Sequence, residues 1–448
     1  MPPKQLSSMQ KFAMQQQEAE KKAAAVAAKR AAVAAQQAPA SASSSQGGAP
    51  KKNIGFLPPG YVAPTSKAAA AQQRKESFEY QFDEHFLVPE RIAKAPSALV
   101  EAVNDFHYAM MNDHPRNRFY YELLKKHVTP ETGVLEIGAG SGLLSMMAAQ
   151  LGAKWVVAVE GSTEMCRLAQ ENVKANKLQD KIKVMNMLST DLTPKHLPER
   201  PHILVSEIFG TMLLGESALD YIQDVRERVL RPDTVIIPQM GIQYAVLIDC
   251  PTLDSICSVT QWNGLDLSRV NSLKDTASCV FTKKYGFRMS SVPFKRLSEP
   301  IKILDIDFAK TNQGFTQLER EFRVKAIEDG TAHAILYYWT AFESADGNEI
   351  MSTAPWDTID NFPRDMQWGQ ALQLVDAGKE GESEPTALVV KRDEEYSFMC
   401  CTSEDHVIVQ LNFMGGSSDK HADPLADLEE VNLDDDDEAV EAGGADAQ

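Results

Sequence analysis

Two carboxylates nine residues apart, Glu207 and Glu216, are the residues in this chain best placed to do chemistry. The first follows the apolar run Ile203–Ser206, which reads as a strand, and Ile208–Gly215 separates it from the second. Leu213, Leu214 and Gly215 predict a tight loop that folds the second carboxylate back beside the first. Two carboxylates held close repel, and one pKa rises, so a site that keeps both ionised expects a cation. Guanidinium fits, because its planar fork of five N–H donors is gripped bidentately by carboxylates. Two anions on one end of the fork would draw positive charge toward them and leave the other nitrogen freer to attack an electrophile. The proton lost after attack needs an acceptor, and one of the two glutamates suits that task. The plainer alternative is that Glu207 caps a strand end and Glu216 opens a helix, where acids are common. For Glu216 alone that alternative is the better reading; for the pair at a strand end it is not.

A second constellation lies upstream. Glu136-Ile137-Gly138-Ala139-Gly140-Ser141-Gly142 follows an expected strand and opens an expected helix. Glycines there allow a tight turn and let a ligand approach the backbone. A dinucleotide fingerprint would need glycine at position 143, where this chain has Leu143, so NAD and FAD are disfavoured. Glu160 ends the next strand, 24 residues after Glu136, where a carboxylate can accept both hydroxyls of a ribose. Glycine turn, strand-end acid and spacing together suit an adenosine whose tail is not a phosphate, and point to S-adenosylmethionine.

These groups need a frame. A helix is expected over Pro115–His127, opening at a proline. Strands at Val134–Ile137, Trp155–Val159, Ile182–Met187 and Ile203–Ser206 alternate with helices at Ser141–Leu151, Ser162–Asn176 and Ser217–Leu230. That alternation predicts a parallel sheet covered on both faces. After Pro238 come short strands, at Ile242–Ile248, Lys302–Ile306, Ala334–Trp339, Ala371–Val375, Thr386–Val390 and His406–Phe413, which read as an antiparallel barrel or sandwich. The fold class is α/β plus β. Residues 1–76 form an Ala/Gln-rich basic tail, 77–237 the sheet domain with its N-terminal helices, 238–415 the β domain, and 416–448 an acidic tail.

Composition narrows the function classes. Of 448 residues, 43% are hydrophobic and 24% charged, as in a soluble globular protein. No apolar run approaches the roughly 20 residues needed to cross a bilayer. The Ala-rich stretch Lys21–Ala35 is too weakly apolar for a secretory signal, and Glu18 and Glu20 argue against a mitochondrial presequence. Six cysteines show no CxxC pair and no zinc-type spacing, so the expected compartment is cytoplasm or nucleus. The net charge of −18 is uneven: Met1–Lys75 holds 11 basic residues against Glu18 and Glu20, while Ser417–Gln448 holds 12 acidic residues against Lys420. The intervening chain is acidic, a poor surface for nucleic acid and a good one for basic protein segments, although for charge alone simple solubility is the better reading.

With those residues in place, the chain from about His107 to Phe413 resembles the protein arginine methyltransferases. Val134–Leu144, Val157–Glu160, and Ser206-Glu207 through Gly215-Glu216-Ser217 carry the likeness, and the glutamate spacing resembles the family's double-E loop. Met110-Met111-Asn112-Asp113-His114-Pro115-Arg116 resembles the family's helix over the cofactor. The resemblance implies that Arg116 pairs with the methionine carboxylate of the cofactor, that Met110 lines the arginine pocket, and that His107 sits near the cofactor. Ser189 and Thr190 match the adenine-side segment in position. It also implies a Rossmann-like methyltransferase domain, a β-barrel, and an arm at about 251–284 that makes head-to-tail homodimers. The wording around Ile208–Glu216 is most similar to the type III, monomethylating branch, which often has two tandem modules; a single module would need a dimer. The implied substrates are arginines in basic, Gly/Arg-rich protein segments.

Two departures stand out. The stretch aligned with the family's aromatic lid, Ser97–Ala102, has no Phe or Tyr, and the Thr-His-Trp loop falls on Met366-Gln367-Trp368. Gln367 can hydrogen-bond but cannot titrate near neutral pH. They favour one rival reading, a degenerate scaffold. A methyltransferase for a non-protein substrate is the other; against a nucleic-acid enzyme, Ser206-Glu207-Ile208-Phe209 holds no proline to turn the loop and adds acids that repel phosphate.

Overall fold

The computed structural model describes residues 105–282, 288–310, 319–344, 350–378, 382, 384–403 and 408–416. Both expected tails apart from Gly416, which ends a strand, the stretch Ser97–Ala102, the last residues of the expected arm and the start of the expected strand at His406 lie outside the described residues.

Helices α1 (Asp105–Asn112) and α2 (His114–His127) precede a run of alternating elements. That run is β1 (Gly133–Ile137), α3 (Leu143–Gln150), β2 (Trp155–Glu160), α4 (Thr163–Ala175), β3 (Ile182–Asn186), β4 (Ile203–Ser206), α5 (Ala218–Arg228) and β5 (Val235–Ile237). The strands form one parallel sheet in the order β3-β2-β1-β4-β5. Every residue of β1 and of β4 is buried, which is why these strands read as continuous apolar runs: helices cover both faces. Helix α4 shows the complementary pattern. Ser162 caps it by accepting the Met165 N–H at 3.3 Å, and Met165, Cys166, Ala169 and Val173 form its buried stripe.

Strand order does the positioning. The chain leaves β1 toward β2 on one side and returns to β4 on the other, so the order reverses between β1 and β4, the crevice where ligands bind in open α/β sheets. Ile137 lies opposite Ser206 in that pairing. The glycine turn after Ile137 and Glu207 after Ser206 are therefore neighbours.

The remaining chain is built from β6 (Met240–Asp249), α6 (Pro251–Cys257), the hairpin β7 (Gln261–Trp262) and β8 (Leu265–Asp266), β9 (Val280–Phe281), β10 (Lys295–Arg296) and β11 (Ile301–Asp307). It continues through β12 (Glu319–Lys325), β13 (Gly330–Ala332), β14 (Ala334–Phe342), β15 (Ile350–Ser352), α7 (Phe362–Gln367), β16 (Ala371–Leu374), β17 (Leu388–Val390), β18 (Glu395–Thr402) and β19 (Val409–Gly416). The largest sheet runs β10-β6-β14-β16-β9, with β11 on β6 and β15 on β14; β12-β18-β19 form a second antiparallel sheet. Alternate residues of β6 enter two cores. Ala245 and Leu247 join the large core shared with the parallel sheet, while Val246 and Ile248 join a smaller one with Leu336, Tyr338, Leu372 and Met289. Phe209, Phe308, Trp339 and Trp368 belong to the shared core, so the double-glutamate loop is packed against the β domain. The architecture is the Rossmann-like sheet plus antiparallel β domain expected from the sequence. Strands β5, β7, β8, β9, β10, β12, β13, β15 and β18 are not among the expected ones, and β17 begins at Leu388 rather than Thr386.

Candidate active site

A cavity of about 1430 Å³ opens at the reversal of strand order. His107, Met110, Arg116, Glu136, Gly138, Gly140, Glu160, Ser189, Glu207, Glu216, Gln367 and Trp368 all border it. Those are the expected site residues with one exception. Thr190 is exposed and lies off the cavity wall, because the 3-10 turn Ser189–Asp191 presents only its first residue inward.

The glycine turn is fixed by its backbone. Gly138 has φ +73°, and a Cβ there would lie 2.7 Å from Ile208 Cγ2. Gly140 has φ +53°, and a Cβ there would meet nothing within 4 Å: the turn faces open cavity. Glu160 fastens this turn to the end of β2, Oε2 accepting the Gly140 N–H at 2.8 Å and Oε1 the Ser162 N–H at 2.8 Å. Each oxygen keeps a lone pair for a donor from the cavity. Glu136 borders the cavity but is spent on Ser145, whose N–H it accepts at 2.9 Å and whose hydroxyl it also accepts. Complete burial pushes its carboxyl up to about 8.

The loop carrying the two glutamates closes on itself. A Cβ on Gly210 would lie 3.0 Å from Gly215 Cα, and the Gly215 N–H is bonded to Met212 O at 2.8 Å. Ser217, with φ +58°, turns the chain into α5. The β domain holds this loop from outside. The indole N–H groups of Trp339 and Trp368 donate to Gly210 O and Phe209 O, each at 2.9 Å. Gln243 Oε1 accepts the Leu213 N–H at 2.7 Å, and the Thr211 hydroxyl donates to Trp368 O at 2.6 Å. The loop's closure is thus built as much by tryptophans from β14 and the α7 end as by its own glycines.

Burial, then the charge of nearby Glu207, pushes the Glu216 carboxyl up to about 7. By surface area Glu216 is exposed, although protein encloses it from most directions. Glu216 borders the cavity, so its proton affinity bears on ligand binding more than on stability.

Glu207 is half-buried, its side chain 6% exposed, and it is already engaged. Its Oε2 accepts Arg116 Nη2 at 2.6 Å and Gln367 Nε2 at 3.1 Å. Arg116 was expected on the carboxylate of a cofactor; within the chain itself it is placed on Glu207, because α2 brings its guanidinium to the end of β4. Arg116 also stacks at 5.3 Å over the Tyr120 ring, and its Nε is buried without a partner. That orphan donor, the open face of Gly140 and the remaining lone pairs of Glu160 suit a ligand with a carboxylate at one end and a ribose at the other.

One network was not legible in the sequence. Asp113 is fully buried and accepts Arg364 Nε at 2.7 Å and Nη2 at 3.0 Å, Asn361 Nδ2 at 2.9 Å, and the Arg116 N–H at 3.0 Å. Burial alone would raise its carboxyl, but Arg364, with help from Asn361, holds it below the ordinary carboxylate range. Asp113 ahead of His114-Pro115 is a readable helix cap; its partner on α7 gives no local signal.

Comparison with known proteins agrees with this geometry. Residues 112–236 match the ribosomal protein L11 methyltransferase (PrmA) family model, and residues 244–384 match the arginine methyltransferase oligomerization subdomain. The chain is 29% identical over 266 residues to protein arginine N-methyltransferase 7 of Drosophila ananassae, covering 55% of this chain and 38% of that protein. With the protein of the same name from Danio rerio it shares 28% over 335 residues, 67% of this chain and 48% of that one. The chain thus spans less than half the length of these two relatives. An arginine N(omega)-methyltransferase of Streptomyces achromogenes subsp. streptozoticus is 30% identical over 253 residues, 56% of this chain and 67% of that protein. In fold, the chain is similar to a Trypanosoma brucei PRMT1 enzyme-prozyme heterotetrameric complex with AdoHcy, at TM-score 0.56 and 21% identity over 69% of this chain and 94% of that one. It is also similar to Arabidopsis thaliana protein arginine methyltransferase 10, at TM-score 0.53 and 18% identity over 69% and 92%. On sequence, fold and the layout of the cavity, this chain belongs to the protein arginine methyltransferase family.

Proposed function

We propose that the chain transfers a methyl group from S-adenosylmethionine to a guanidinium nitrogen of arginine in protein substrates. One observation carries this reading: Glu207 and Glu216, from one closed loop, border the same cavity as the glycine turn and Glu160. Glu160 and the Gly138–Gly140 turn would hold the adenosine, and the orphan Nε of Arg116 its carboxylate. The bound cofactor supplies an electrophilic methyl on a sulfonium. Glu207 and Glu216 grip the guanidinium of the substrate and fix one nitrogen toward that methyl, which replaces an entropic cost with prior alignment. With its carboxyl pushed up to about 7, Glu216 is matched to receive the proton that this nitrogen loses. Gln367 does not titrate and serves as a fixed donor to Glu207.

The partner is a second copy of this chain. On the segment from α6 through Leu273, Ile256, Trp262, Leu265, Leu267, Val270 and Leu273 are all exposed, an apolar surface of the kind that marks an interface. All six cysteines are free thiols, in keeping with the cytoplasm or nucleus as its compartment. The test is to incubate the full chain with methyl-labelled cofactor and a Gly/Arg-rich peptide, hydrolyse, and separate the methylarginines. Label in ω-monomethylarginine is expected, in line with the type III resemblance. Label on another residue sinks the reading, and a chain that fails to bind the cofactor in calorimetry is a scaffold instead.

A further inference from the structure

Four residues, two near the start of α2 and two on α7, close a circuit through one oxygen atom, Oε2 of Glu207. Asp113 caps α2, and Arg116 three residues later donates to Glu207 Oε2 at 2.6 Å. Arg364 lies three residues before Gln367, whose Nε2 donates to the same Oε2 at 3.1 Å. The circuit is completed by the forked Arg364–Asp113 pair, at 2.7 and 3.0 Å. Neither Asp113 nor Arg364 borders the cavity, so neither can touch a substrate there. Arg364 spends its third nitrogen, Nη1, on Ser352 O at 3.0 Å, and a guanidinium anchored on three sides has no rotational freedom left.

The consequence is geometric. Two donors from two different helices converge on Oε2, and among the described residues no donor is bonded to Oε1. A carboxylate whose one oxygen is fixed from both flanks has its other oxygen aimed by default. We infer that the Asp113–Arg364 pair positions Glu207: it sets the distance between α2 and α7, keeps Arg116 and Gln367 on Oε2, and thereby reserves Oε1 for the guanidinium of the acceptor. The inference rests on the proposed function, since it names what the free oxygen is for. α7 is braced on its far side as well, where Asp365 accepts the Ser290 hydroxyl and accepts Gln370 Nε2 at 3.1 Å. The helix therefore pivots toward or away from Glu207 only if the Asp113 side gives way.

The experiment uses Arg364→Lys, which keeps the charge but loses the fork, and Asp113→Asn, which keeps a competent helix cap but loses the charge. Each is measured for cofactor affinity by calorimetry with S-adenosylhomocysteine, for acceptor KM and kcat, and by thermal melting. Acceptor kcat/KM should fall at least tenfold in both, mostly through KM, while cofactor affinity stays within threefold. The decisive readout is a double-mutant cycle with Gln367→Ala. Because part of the effect of Arg364 runs through Gln367 and the rest through Asp113 and Arg116, the loss in the Arg364→Lys/Gln367→Ala double variant should fall well short of the product of the two single losses. Multiplicative losses in the double variant, or a loss that falls on cofactor affinity, would overturn the inference. So would failure of both single variants to fold, which would make the pair structural only. A wild-type chain inert toward arginine peptides would be a failure of the proposed function, seen before any variant is made.

Discussion

The raised proton affinity of Glu216 makes the reaction pH-dependent in a direction that can be worked out. Burial and the neighbouring Glu207 carboxylate push Glu216 up to about 7, so near neutrality the free site holds it about half protonated. Only the ionised form can grip a guanidinium, and the guanidinium itself stays charged throughout the range. With a midpoint near 7, the ionised fraction is about a tenth at pH 6 and about nine-tenths at pH 8. The value of kcat/KM, at saturating cofactor, should therefore rise about tenfold between those pH values. At saturating acceptor the bound cation favours the carboxylate, so the midpoint in kcat should move below 7. Rates are measured on one arginine peptide in a constant-ionic-strength buffer series, with Glu216→Gln as the control that should be slow and flat. A wild-type profile that is flat from pH 6 to 8, or that falls as pH rises, would refute the reasoning.

Three further outcomes follow from particular contacts. Glu160→Ala removes the carboxylate that fastens the glycine turn, and calorimetry should show cofactor affinity reduced at least tenfold; unchanged affinity removes its assigned ligand. Gly210→Ala would set a Cβ 3.0 Å from Gly215 Cα and 3.2 Å from Met212 O, both backbone atoms, so the loop must open. Its cost should be about 1–3 kcal/mol in denaturant unfolding, with kcat/KM falling more than stability does; an unaffected rate would show that closure of the loop is dispensable. Leu273 is 84% exposed, so Leu273→Asp should leave the melting temperature almost unchanged while light scattering shows monomers in place of dimers; an intact dimer would exclude this surface as the interface.

What could be read from the sequence was what short-range pattern controls. Gly138, Gly140, Glu160 and Glu207 sit at strand ends, and a parallel sheet places strand ends at one crevice, so periodicity and strand order were enough to bring them together. The tight turn of the loop was readable from Leu213-Leu214-Gly215. Its cause was not, since the bonds that hold the loop come from Gln243, Trp339 and Trp368, at most 159 residues away in sequence. Asp113 and Arg364 are 251 residues apart, and no local pattern announces a pairing at that range. For Arg116 the charge was legible and the partner within the chain was not. Strand β12, Glu-Arg-Glu-Phe-Arg-Val-Lys, has only Val324 fully buried, too weak an alternation to detect. By contrast β18 turns Tyr396, Phe398 and Cys400 inward, a period-two signal that was present in the sequence.

The claim on which the rest depends is that two glutamates from one loop hold a planar cation beside the cofactor turn. Calorimetry tests it most directly, with S-adenosylhomocysteine bound and two peptides that differ only in arginine or its neutral isostere citrulline. Charge-assisted hydrogen bonds contribute about 1.5–3 kcal/mol each, so the arginine peptide should bind at least tenfold more tightly, and Glu207→Gln should abolish the difference. Equal affinity of the wild-type chain for both peptides would contradict the clamp.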